Sequence, residues 1–208
     1  MKRTLSLLVT VSLGLTSQIG SRADMLTTSY TTDNSRRGNM FDLTAIHPIT
    51  ITSFDVNLAS GVTVPMSVYY KSGTYVGNAG NAAAWTLLGT RSVTSLGSDL
   101  PTPFPIIGLS LAAGTLTGLF ITTDGSVNSA MRYSNGNNPV GNADLALAFG
   151  YGTAVPFDGA FNAPRTWSGT IHYTVNPVPE PQTWAMCGVV LMGVAGYGIR
   201  RRRGSVAV

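Results

Sequence analysis

From Val62 to Tyr70 every second residue is apolar: Val62, Val64, Met66, Val68 and Tyr70. A repeat of two puts all five side chains on one face of an extended chain, which a helix cannot do. Upstream, Ile49 and Ile51 alternate, and then Phe54, Val56 and Leu58 alternate in the opposite phase. The phase change near Thr52-Ser53 predicts a β-bulge, and Ala59-Ser60-Gly61 predicts a hairpin turn joining the two strands. Further strands are expected over residues 85–93, 116–122, 144–149 and 167–175, the last with Trp167, Gly169, Ile171, Tyr173 and Val175 on one face. Turn formers separate them at Gly77-Asn78-Ala79-Gly80-Asn81 and Asn135-Gly136-Asn137-Asn138-Pro139. Pro101, Pro103 and Pro105 favour an extended crossing loop. With no long amphipathic helix and no internal repeat, the expected class is all-β, a jelly-roll-like β-sandwich over residues 24–176, with a barrel as the alternative.

Composition agrees. The chain has 208 residues, 24 of them Gly, and only 11% are charged. The formal net charge of +4 comes from the two ends; between Asp24 and Val178 eight aspartates face six Lys and Arg. A mildly acidic domain without a basic stripe makes nucleic acid a poor partner. The single Cys187 lies outside the expected domain, so an intradomain disulfide is excluded, and with two His in the chain so is a thiolate or His-rich zinc site.

The ends read as targeting segments. Lys2 and Arg3 precede an apolar run from Leu5 to Leu15, and Ser21-Arg22-Ala23 sets small residues at the positions a signal peptidase reads. The expected leader is residues 1–23, cut between Ala23 and Asp24 after passage through the secretion translocon; the run is short for a stable membrane span. At the other end Pro179-Glu180-Pro181 is followed by an apolar stretch over residues 183–199 without a charge, then Arg200, Arg201, Arg202 and Arg203, then a tail over residues 204–208. The stretch is expected to span a membrane as a helix, and the four arginines to hold the tail in the cytoplasm. Two prolines keep the segment before it extended.

These parts, in this order and behind a leader, resemble the PEP-CTERM sorting domain, here over residues 177–203. The resemblance implies recognition of Pro179, Glu180 and Pro181 by exosortase, a membrane transpeptidase. It further implies a transient inner-membrane anchor and delivery to the surface or extracellular matrix of a Gram-negative bacterium that makes extracellular polysaccharide. Three stretches of the middle (residues 40–43, 69–73 and 165–171) resemble exported bacterial modules of unknown activity, which supplies a domain type and no chemistry.

Candidate chemistry in the domain is sparse. His47 and His172 are isolated, and no Gly-x-Ser-x-Gly elbow accompanies them. His172 alternates with Ile171 and Tyr173 and should face solvent. The carboxylates are all Asp, mostly beside turn formers. Calcium takes Asp and backbone oxygens, and Asp124-Gly125-Ser126 and Asn142-Ala143-Asp144 could supply them, although no Asp-x-Asp-x-Asp-Gly loop exists. Sugar binding needs exposed aromatics; of Tyr69, Tyr75, Trp85, Tyr133, Tyr151 and Trp167, Tyr69 is the best placed, opposite Val68 and Tyr70. Tyr69, Asp124 and Asp144 are therefore the candidate ligand contacts. The expected function is a non-enzymatic adhesion or polysaccharide-associated module; the alternatives are a carbohydrate-active enzyme using loop Asp residues and a structural protein that self-associates through edge strands.

Overall fold

The computed structural model describes residues 20–177, apart from 125, 126, 128 and 159. The expected leader core, Pro179-Glu180-Pro181, the apolar stretch 183–199 and Arg200 to Arg203 lie outside the described residues. Among the described residues no helix is long and apolar enough to cross a membrane. The chain divides into two compact units, and the strands belong to one of them, Ser21–Asn176.

That unit is all-β. In chain order the strands are β1 (Arg22–Thr27), β2 (Asn34–Arg36), β3 (Gly38–Ala45), β4 (Ile49–Asn57), β5 (Thr63–Ser72), β6 (Thr86–Thr94), β7 (Pro101–Leu111), β8 (Leu116–Thr123), β9 (Met131–Asn135), β10 (Val140–Gly141), β11 (Leu145–Thr153), β12 (Phe161–Trp167) and β13 (Gly169–Val175). They form two antiparallel sheets, a β-sandwich. The smaller sheet runs β1-β13-β4-β7, and the larger runs β2-β9-β12-β11-β3-β8-β5-β6, with β10 also on β11. Between them lies a core that includes Phe41, Ile51, Phe54, Val56, Val68, Ile121, Leu147, Trp167 and Ile171.

The bulge expected near Thr52-Ser53 is present. Against β13 the register passes from Ile51 to Ser53 and skips Thr52, while against β7 the same step faces residues 106–108. This one extra residue keeps Ile49 and Ile51, and then Phe54 and Val56, all in the core.

Three local expectations are corrected. Ala59-Ser60-Gly61 does not close a hairpin: β4 pairs with β13 and β7, whereas β5 pairs with β6 and β8 in the other sheet. Alternation marks each strand but not its partner, and the turn, with Gly61 at φ +73°, carries the chain across the end of the sandwich. The prolines at 101, 103 and 105 are not in a loop but open β7, the edge of the smaller sheet. At a spacing of two, all three fall on the same side of an edge strand, where a missing N–H breaks no ladder bond. Nor is 167–175 one strand. It breaks at Ser168, so Trp167 ends β12 in the larger sheet and Gly169 begins β13 in the smaller.

Trp167 sits at that crossover, fully buried. Its indole stacks on Phe41 (centroids 5.1 Å, 19°) and meets Phe54 edge-on (6.0 Å, 88°), so it touches both sheets. Gly169 makes room for it. A Cβ there would run into the indole and stand 2.5 Å from the Asp55 carbonyl oxygen. Gly169→Ala should therefore lower the unfolding free energy by about 2 kcal/mol or more in urea denaturation, as overpacking of a dense core does. Gly89→Ala, with open space around its Cβ, should stay within about 0.5 kcal/mol of the parent.

Candidate functional site

The outer face of the larger sheet carries a second apolar layer. In β3 and β8 the residues between the core positions, Met40 and Phe120, point away from the main core and are still fully buried. Two connections fold over them. The β5–β6 connection brings Tyr75, Ala79 and Trp85, and the β11–β12 connection brings Phe157; Tyr69, Tyr151 and Phe161 flank the layer from β5, β11 and β12. The register of β11 against β3 skips Gly150, which sets Tyr151 opposite Met40 on the outer face. A side chain at Gly150 would collide with the Tyr75 ring.

The β5–β6 connection is pinned by Asp42 on β3. One carboxylate oxygen accepts from the Thr74 hydroxyl (2.6 Å) and the other from the Tyr75 backbone N–H (2.9 Å). Trp85 donates its indole N–H to the Asn78 carbonyl at 2.9 Å. Burial, with the Asp42 and Tyr151 charges adding to it, pushes the Tyr75 phenol above its ordinary range.

The layer is closed below and open above. Phe120 is fully buried, and Tyr75 and Trp85 are 7% and 8% exposed. Tyr69, Tyr151, Phe157 and Phe161 are half-buried. Tyr69 stacks on Phe120 at 5.9 Å, and Tyr151 stacks on Phe161 at 5.3 Å and 14°. Val76, Leu87 and Val155, from the connections and the strand neighbouring Tyr69, are exposed. Flat rings presented to solvent on a locked apolar base can stack on the C–H faces of sugar rings or on other apolar groups.

The three candidate contacts are not brought together. Tyr69 lies in this layer. Asp144 stands beside the Ala45–Leu145 pair, near the start of β8 at Leu116, whereas Asp124 follows the other end of β8. Eight strand residues, about 25 Å, separate the two aspartates, so one ion cannot take both. Among the described residues no group of three His, Cys, Asp or Glu is placed to hold a metal.

Asp144 is a structural hub. Its side chain is 4% exposed, and its oxygens meet the Arg22 guanidinium (2.5 Å), His47 Nδ1 (3.1 Å) and the Tyr173 hydroxyl (3.1 Å). Asn142 accepts from the Asp144 and Leu145 N–H groups and donates to Tyr173, so the side-chain oxygens of Asn142 and Asp144 are engaged within the protein. Burial pushes the Tyr173 phenol up to about 12, and the Asp144 charge adds to the effect. Arg22 also meets Asp24 at 3.2 Å, and its guanidinium stands between the two carboxylates.

At the opposite end of β4, buried Asn57 donates to the Tyr30 carbonyl, Ser168 and Asp99, and accepts from the Asp99 N–H. Thr32 and Arg132 also bond Asp99. The Thr32 hydrogen bond, with those of Asn57 and Arg132, holds the Asp99 carboxyl below its usual range. His172 lies on the outer face of the smaller sheet as expected, but bonded to Asp55 at 2.8 Å. Tyr133 and Trp167, candidate aromatics in the sequence, are fully buried in the interior.

Sequence reasoning missed Phe120, Phe157, Phe161 and the pinning role of Asp42. Phe120 was within reach, because in an extended chain it faces away from its neighbours Leu119 and Ile121. Phe157 was not, because its connection has no period.

No family model matches the chain, and no curated protein matches it. Among solved structures, it is similar to the VP2 subviral particle of infectious bursal disease virus, at 14% identity and a TM-score of 0.26, over 92% of this chain and 55% of that one. A likeness at that score carries no argument here.

Arg22 and Ala23 are the last residues of the expected leader, yet both lie in β1, paired with Val175 and Thr174. A chain beginning at Asp24 loses the Arg22 contact to Asp144. Thermal unfolding should show it less stable than one beginning at Ser21, by about 1–2 kcal/mol for a half-exposed charged hydrogen bond, and Arg22→Gln should reproduce most of the loss.

Proposed function

We propose that this chain is an exported cell-surface or extracellular-matrix protein, and that its sandwich is a non-enzymatic module that adheres to polysaccharide through the outer aromatic layer. The observation that carries the reading is the set of half-buried rings, Tyr69, Tyr151 and Phe161, held on the buried base of Phe120, Trp85 and Tyr75. A ring at fixed position loses little conformational freedom on binding, and stacking on a sugar face needs no charge. Calcium has no part in this mode.

The finer architecture within this reading is a jelly roll. Its support is the strand order: β1 lies beside β13, the last strand, with β4 and β7 following, while β3, β8, β5 and β6 follow one another in the other sheet. That alternation of consecutive strands between sheets is what two interlocked Greek keys produce. On this reading β2, β9, β10, β11 and β12 extend the larger sheet.

Export rests on the sequence. A leader over residues 1–23 passes the chain through the translocon, a helix over residues 183–199 anchors it with Arg200 to Arg203 inside, and exosortase reads Pro179-Glu180-Pro181 and releases it outward. The self-associating alternative draws support from β1, an edge strand without proline.

Two measurements test the proposal. The full chain should be retained saturably on the producing strain's extracellular polysaccharide, equally with and without chelator. Tyr69→Ala with Tyr151→Ala should weaken retention by about tenfold, the loss of about 1–2 kcal/mol of ring contact. Unchanged retention in the double variant would remove the aromatic layer from the function. Separately, replacing Pro179, Glu180 and Pro181 by alanine should leave unprocessed protein in the inner-membrane fraction; normal processing and release would refute the sorting assignment.

A further inference from the structure

Phe157 has φ +59°. A bulky side chain in the left-handed region is an outlier that persists only where its surroundings hold it there. Here the holding is done by rings. Phe157 meets Phe120 edge-on at 5.1 Å, Tyr69 edge-on at 5.2 Å and Trp85 at 6.2 Å. Among the described residues, no hydrogen bond from residues 155–157 reaches the larger sheet, and Asp158 bonds only forward, to the Ala160 N–H. Val155, two residues before, is exposed. Phe157 thus ties the segment to the sheet through its ring, against a local backbone preference.

The place that ring fills has the features of a sugar subsite. Tyr69 is one wall, with its face on Phe120, and the Trp85 edge is another. On the same outer row of β5, two residues along, Ser67 and Thr90 present a hydroxyl pair 2.8 Å apart. On the other side of Tyr69 in that row, the Lys71 ammonium is held by the Ser72 and Thr74 carbonyls (2.8 and 2.7 Å). A ring with an apolar face and a hydroxyl rim would meet aromatic carbon in the middle and donors and acceptors at the border.

We propose that Tyr69, Trp85 and Phe120 form a subsite for one neutral pyranose unit of a polysaccharide, and that Phe157 is a built-in plug occupying it. Binding then requires the plug to leave. The apparent affinity is the intrinsic one reduced by the fraction of molecules with the plug out. Leaving relieves the left-handed backbone, which offsets part of the ring contacts it forfeits.

This inference rests on the polysaccharide-binding reading and can fail without it. The test is affinity electrophoresis of the detergent-solubilised full chain, with hydroxyethylcellulose as a neutral glucan probe and the producing strain's polysaccharide in a parallel gel. Phe157→Ala should bind about tenfold tighter than the parent, by removal of the plugged fraction, and adding Tyr69→Ala should abolish the gain. Phe157→Gly should show the same gain, since glycine adopts φ +59° without strain. Far-UV circular dichroism checks folding. Parent and both variants bound with equal affinity would refute the plug and leave the polysaccharide reading standing. No retention of any of them on either polymer would refute both. Loss of the folded spectrum in both variants would make Phe157 an ordinary core residue and overturn the subsite.

Discussion

The Trp167 indole is the contact on which the two sheets depend. It ends the last strand of the larger sheet, and two residues later the chain is pairing in the smaller one. Face to Phe41 and edge to Phe54, it fills the gap that this change of sheet would otherwise open. Burying an aromatic of this size contributes about 3 kcal/mol, and without a disulfide the domain relies on such burial. Gly169 is the necessary complement, since the crossover admits the indole only where the next inward residue has no side chain.

The larger sheet is covered on both faces, and this makes the candidate site. β3 shows the consequence most directly: Phe41 and Leu43 enter the main core, while Met40 enters the outer layer and Asp42 anchors the connection above it. A strand buried on both sides carries no alternation for a reader to find. The outer layer offers less burial than the core, so its upper rings stay half-buried. Of these, Tyr69, Tyr151 and Phe161 are the rings available to a partner.

The two ends of β4 are closed by polar networks rather than apolar contacts. Asp144 collects β1, β13 and the β3–β4 turn at one end, and Asn57 with Asp99 collects the β6–β7 connection and β9 at the other. A buried carboxylate or amide is tolerated only when its partners satisfy it. The candidate ligand residues Asp124 and Asp144 looked equivalent in sequence because burial, which separates an exposed Asp from a structural one, is not written in neighbouring residues.

What the sequence determined by itself was local. Period-two patterning in β5, the phase slip at Thr52 and the outward position of Tyr69 all follow from side chains alternating along an extended chain, and each was legible within ten residues. What only the tertiary structure decided was partnership. It set β4 and β5 in different sheets, turned three prolines into an edge strand, drew Arg22 to Asp144 across 122 residues, and laid Phe157 over Tyr69. The reason is physical: alternation fixes which face a residue takes, while the partner across that face is chosen by packing and by the satisfaction of buried polar groups over the whole chain.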